Sequence, residues 1–194
     1  MKKLLLFIFL ASFLSAFSQE KITEKDIYEV VNFVIKNRKE RLHEKGFKIK
    51  FLMRSKSDSA VYHYLNKTEE SFYSIEENPN EFFTNNDIEF INKQIGDNYN
   101  FNLQQKFINQ LKIISIDEYK KLGTGKEFWE NYDAKYGKKS FVEMMVPLFS
   151  LDKKTVIIEY SNITGSRGGF GEIVILKKEN NTWKYFKNLS AWKF

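Results

Sequence analysis

From Ser140 onward the chain reads as four strand-like runs, Phe141 to Phe149, Thr155 to Ser161, Glu172 to Lys178 and Thr182 to Trp192, and nothing else in the sequence constrains the fold as strongly. Polar turns separate them at Leu151 to Lys154, Asn162 to Gly171 and Glu179 to Asn181. Connections this short demand antiparallel neighbours, because parallel strands need a long crossover. The expected product is a four-stranded meander. Val156, Ile157 and Ile158 are consecutive, as are Ile173 to Leu176, so the inner strands need cover on both faces. Helices can cover one face. The other calls for a partner, a ligand or the sheet's own curl, and homodimerisation through that face is the companion expectation. Pro147 puts the first strand at an edge or bends it there.

The helices come first. Thr23-Glu24-Lys25-Asp26 resembles a capping box with Asp in the Glu position, and Ile27, Val30, Val31, Val34, Ile35 and Leu42 follow at helical spacing, which predicts a helix from Glu24 to Lys45 stopped by Gly46. Phe47, Ile49 and Phe51 then alternate with Lys48 and Lys50, the period of a strand with one wet face. Short helices are expected over Asp58 to Lys67 and, behind the cap Thr84-Asn85-Asn86-Asp87, over Asn86 to Ile95 with a stop at Gly96. Leu111 to Ser115 reads as a short strand and Lys126 to Tyr136 as a further helix. The fold class is therefore α+β, N-terminal helices packed on a C-terminal antiparallel meander. A cone similar to nuclear transport factor 2 is a special case of the same element order.

Residues 1–18 stand apart from that domain. Lys2 and Lys3 precede an apolar stretch from Leu4 to Phe17, and Ala16-Phe17-Ser18 offers small residues where a signal peptidase cuts. The stretch is shorter than the roughly 18 residues a membrane-spanning helix needs. A cleaved signal is expected, which leaves residues 19–194 as one exported domain, periplasmic or secreted, with no transmembrane segment after cleavage.

The chain has no Cys, so disulfides, thiolate metal sites and Cys nucleophiles are excluded, and His43 and His63 alone make a poor zinc site. No metal or other cofactor is indicated. The net charge is +6, yet only 4 of the 31 basic residues are Arg, the residue whose bidentate fork suits nucleic acid, so nucleic acid is not the expected partner. Charge is segregated instead. Lys36 to Lys56 holds nine basic and two acidic residues, Glu69 to Glu89 seven acidic and none basic. The basic block, with Lys48 and Lys50, is a candidate surface for an anionic envelope component or a protein partner.

The stretch Thr164-Gly165-Ser166-Arg167-Gly168-Gly169-Phe170-Gly171 is the most distinctive. Its glycines permit positive φ and a nest of N–H groups, with Arg167 adding a charge, so Ser166, Arg167, Gly168 and Gly169 are candidate binding residues. A long, conformationally permissive hairpin loop explains the same glycines with no ligand. The stretch is not a P-loop, and neither is Gly123-Thr124-Gly125-Lys126, since both lack the GxxxxGK[ST] spacing. Phe128, Trp129, Tyr132 and Tyr136 lie on one helix face and read as core rather than as a stacking platform. No GxSxG or HExxH occurs. The remaining catalytic arrangement is a carboxylate pair drawn from Glu143, Glu159 and Glu172, all in the C-terminal strands, which would work as a hydrolase of envelope polymers.

Asn86-Asp87-Ile88-Glu89-Phe90 with Gln94, then Val146-Pro147-Leu148-Phe149-Ser150-Leu151-Asp152, Gly168-Gly169-Phe170-Gly171, and Lys177-Lys178 before Trp183 are the residues in which the chain resembles small exported proteins of Gram-negative bacteria of the Bacteroidetes group. Ser18-Gln19-Glu20 at the cleavage point has the same character. The resemblance implies export and a shared fold, and no reaction. Some relatives carry Cys in the glycine stretch, where Ser166 and Arg167 stand here. The sequence thus points to an exported, non-enzymatic binding module of the envelope, with the carboxylate hydrolase as the alternative.

Overall fold

The computed structural model describes residues 21–37, 48–52, 60–67, 75–97, 101–109, 111–137, 140–165 and 168–193. The expected signal segment 1–18, the second half of the first expected helix, and Ser166 and Arg167 lie outside the described residues.

Helix α1 (Glu24–Asn37) opens on the expected box: the Thr23 N–H donates to Asp26 Oδ2 at 2.9 Å and the Asp26 N–H returns to Thr23 Oγ1 at 3.2 Å. Strand β1 (Lys48–Leu52) and helix α2 (Ala60–Asn66) follow, then α3 (Asn85–Asp97), capped by Thr84 and Asp87 at the same two distances. That helix runs through Gly96 instead of stopping there. No atom outside the helix approaches a Cβ built at Gly96, so only its helix propensity, a cost of about 1 kcal/mol, opposes continuation. Strand β2 (Lys112–Ile113), helix α4 (Ile116–Lys120) and helix α5 (Gly125–Tyr136) lead into the C-terminal strands β3 (Phe141–Met145), β4 (Leu148–Phe149), β5 (Thr155–Gly165), β6 (Gly168–Glu179) and β7 (Thr182–Lys193).

One sheet takes all seven strands in the order β2-β1-β3-β5-β6-β7, with β4 also on β5. The C-terminal five strands pair antiparallel, as their short connections require. To them β1 adds in parallel against β3, and β2 in parallel against β1. The bend at Pro147 is real and has a register to match: Met144 pairs with Tyr160 and Leu148 with Ile157, so the β3–β4 side carries one more residue than β5, a bulge that splits the run in two.

Alternation along the strands assigns the two faces. Val142, Met144, Val156, Ile158, Val174 and Leu176 pack under α1. Met145, Leu148, Ile157, Ile173 and Ile175 pack under α2 and α3, against Val61, Leu65, Ile91 and Ile95. The second apolar face is therefore covered by this chain's own helices, and the reason for seeking a partner there disappears. Phe128 and Tyr132 of α5 are buried against Phe141, with Trp129 and Tyr136 beside them, so the aromatic stripe is core.

Strand β7 switches faces. Its register against β6 shifts twice, leaving Phe186 and Leu189 as extra residues. Trp183 and Tyr185 join the α1 face. Leu189, an even number of positions further on, joins the opposite one because of the shifts, whereas Trp192, an odd number of positions from Trp183, lies opposite by plain alternation, the two shifts cancelling. The β6–β7 turn needs two left-handed residues and has them in Asn180 (φ 49°) and Asn181 (φ 59°).

Candidate functional site

The expected ten-residue glycine loop is largely strand. β5 and β6 pair from Thr155↔Lys177 as far as Gly165↔Gly168, so only residues 166–167 connect them. Pairing uses backbone groups and is indifferent to the polar side chains that suggested a loop. Gly168 and Gly169 are strand residues, Gly169 opposite Ile163, and neither takes positive φ. The lack of a Cβ at Gly171 has a different use: one placed there would overlap the six-membered ring of Trp192, its partner on β7.

At this end of the sheet an open groove of about 800 Å³ is lined by Phe170, Gly171 and Glu172 of β6 and by Ala191, Trp192 and Lys193 of β7. Its volume lies within the range of about 300–1,000 Å³ of small-molecule sites. Glu172 is only 3% exposed, and Tyr160 Oη, directly opposite on β5, donates to its Oε2 at 2.5 Å. Two residues along β5, Asn162 pairs with Phe170; it is 4% exposed and its Oδ1 makes no hydrogen bond. Tyr160, Asn162 and Glu172 thus form a buried polar patch on the α1 face beside the groove.

The three candidate carboxylates do not gather on one face. Glu159 pairs with Ile173 and belongs to the α2/α3 face, so the sheet itself separates it from Glu172. Glu143 shares the Glu159 face, since it pairs with Ser161, and sits diagonally from Glu159 at the roughly 7–8 Å typical of such positions. Glu143 is engaged by Tyr119: burial, then the Glu143 charge and the hydrogen bond to it, push the phenol up to about 12. Glu159 is 2% exposed, which leaves a polymeric substrate no approach.

Lys48 and Lys50 lie on β1, an interior strand flanked by β2 and β3, with Lys50 in register with Glu143. Their side chains lie outside the described residues. His63 is buried on α2 with Tyr62 edge-on at 5.7 Å. Among the described residues no three His, Asp or Glu side chains could hold a metal ion, and no helix is long and apolar enough to cross a membrane.

Sequence reasoning passed over Tyr160, Asn162, Phe170 and Trp192. A signal for the first two was present: they continue the parity of Val156 and Ile158 into the core, where a Tyr and an Asn need polar partners. Trp192 gave none, because its ring lies over Gly171, a neighbour that only the pairing of β6 with β7 brings to it. Taken together, fold and groove define a three-layer α+β protein with an open cleft at one sheet end. Comparison with protein-family models, curated proteins and solved structures found no match.

Proposed function

We propose that the protein is an exported, non-enzymatic binding module of the bacterial envelope, periplasmic or secreted, whose ligand seats in the groove at the β5–β6 turn. The observation that carries this is the groove itself: Phe170, Ala191 and Lys193 line it on the α1 face beside the buried carboxylate of Glu172, and Trp192 borders it. Apolar surface with a few polar groups is how small-molecule sites recognise a ligand. Ser166 and Arg167, the other candidate binding residues, lie outside the described residues. Export is supported by Lys2, Lys3 and the apolar stretch Leu4 to Phe17 with its small-residue end. A non-catalytic role is supported by the separation of Glu159 from Glu172 across the sheet.

The test is titration of the purified protein with solubilised peptidoglycan fragments and with lipopolysaccharide, followed by tryptophan emission. A saturable change that Phe170→Ala and Lys193→Glu both weaken is the expected result. A flat response ends the reading, and polymer cleavage that vanishes in Glu172→Gln replaces it with the hydrolase.

A further inference from the structure

A second groove, of about 400 Å³, opens at the other end of β6 and β7, between α1, the 3-10 turn at Gln105–Phe107 and the β6–β7 turn. Phe33, Phe107 and Trp183 give it aromatic walls, and Asn32, Asn109 and Asn181 bring three carboxamides to it. Trp183 is 4% exposed, and its Nε1–H has no acceptor. The indole is nonetheless held, with Phe149 edge-on at 6.2 Å and Lys178 Nζ 5.3 Å from the ring centre. A buried donor without an acceptor forfeits its hydration and gains nothing in return, so native structures rarely keep one.

Charge narrows the ligand. Glu29 in the wall is neutralised by Lys178, whose Nζ lies 2.9 Å and 3.0 Å from its two oxygens, which leaves Lys36 as the remaining charged side chain of the lining. One lone exposed Lys is a weak anion site. The carboxamides are a better guide. Asn32 Nδ2 donates to the Phe107 carbonyl at 3.0 Å, which fixes that side chain and leaves Oδ1 as an acceptor. A fixed amide at Asn32 with two further carboxamides beside it, aromatic walls for C–H faces and an indole N–H without an acceptor match the chemistry of a hydroxylated ring. We infer that this groove is a binding site for a neutral sugar unit, distinct from the groove at Trp192, with a ring hydroxyl or ring oxygen accepting the Trp183 N–H.

The two grooves carry one tryptophan each, and Trp129 belongs to neither, so indole ¹⁵N–¹H resonances separate the two sites. Methyl glucoside and N-acetylglucosamine are titrated into the purified protein, with glucuronate and inorganic phosphate as charged controls. The expected result is a saturable shift of the Trp183 indole with a neutral sugar, the Trp192 indole unmoved, and affinity weakened about five-fold by Asn109→Ala and by Thr182→Val, the loss of one hydrogen bond. Trp183→Phe assigns the resonance and removes the donor; the two polar variants keep the test valid if that core change unfolds the chain. A Trp183 indole that stays fixed at millimolar sugar overturns the inference, as does a shift confined to Trp192, a response to the charged controls alone, or affinity unchanged in both polar variants. A shift confined to Trp192 would speak for the groove of Phe170 and Lys193 instead, and the other outcomes leave that reading untouched.

Discussion

A methyl group at position 171 has no room. Its carbon would overlap the Trp192 ring and come within 2.8 Å of Nε1, so Gly171→Ala must push the indole off the strand. Overpacking of this kind costs about 1–3 kcal/mol. Thermal melts should show that loss, and the double variant Gly171→Ala/Trp192→Ala should recover part of it. Gln94 is the second telling side chain. From α3 its Nε2 donates to the Phe149 carbonyl at 2.7 Å, while its Oε1 accepts the Phe149 N–H at 3.0 Å. β1 pairs with β3 only as far as Leu52↔Met145, so at Phe149 the amide stands where a neighbouring strand would. Gln94→Met keeps the length and removes both bonds, leaving two buried backbone groups unmet. We expect a loss of about 2–4 kcal/mol in urea titrations. The sequence offers no warning of either role, since Gln94 and Phe149 stand 55 positions apart and only the fold brings them together.

Elements were legible where their signals are local. Both capping boxes need only residues three apart, and both form. Burial by itself would raise Asp26, but the Thr23 N–H and hydroxyl and the Lys153 ammonium outweigh it and hold the carboxyl below its ordinary range. Asp87 is held low in the same way, against burial, by the Thr84 hydroxyl, the Leu151 N–H and the Thr84 N–H. A carboxylate depressed in the folded state contributes stability above its unfolded value of about 4 and loses it as pH falls through the lower folded value. Stability measured downward from pH 6 should therefore drop below about pH 4. Asp26→Asn and Asp87→Asn should each flatten that limb. Helices α4 and α5 contribute to the alkaline limb. Burial first, and then Glu143 and Asp133 respectively, push Tyr119 and Tyr132 up to about 12. Stability they lend is complete below the unfolded value of about 10 and declines as pH rises toward 12, a decline that Tyr119→Phe should lessen. Strand ends were the illegible part. Asn162, Thr164 and four glycines read as a loop because side-chain patterns report burial, whereas the ladder that carries β5 and β6 to the turn is made by backbone.

At the scale of the molecule the sequence showed that the meander needs two covered faces but not what covers the second. That answer depends on α2 and α3, whose short amphipathic patterns carry no address, and on β1 and β2, whose parallel pairing leaves no mark between sequence neighbours. Because both apolar clusters draw on alternate residues of the same β5 and β6, loss of either helical layer bares one apolar face of strands that the other layer also needs in place. Unfolding should be a single transition: urea curves from tryptophan emission and from far-ultraviolet circular dichroism should coincide, and separated midpoints would mean that the layers come apart independently.

The double bulge in β7 has one more effect, on how these molecules meet one another. A straight outer strand presents an unbroken row of amides and carbonyls on which a second chain can lengthen the sheet, the first step toward fibrils. With Phe186 and Leu189 interrupting the register, that row is broken twice within a dozen residues. At the opposite border β2 is two residues long, and its Ile113 N–H is already taken by Gln105 Oε1 at 2.9 Å. The kinks that turn Leu189 toward α2 and α3 also make the border a poor template, which favours solubility at high local concentration in a protein without disulfides.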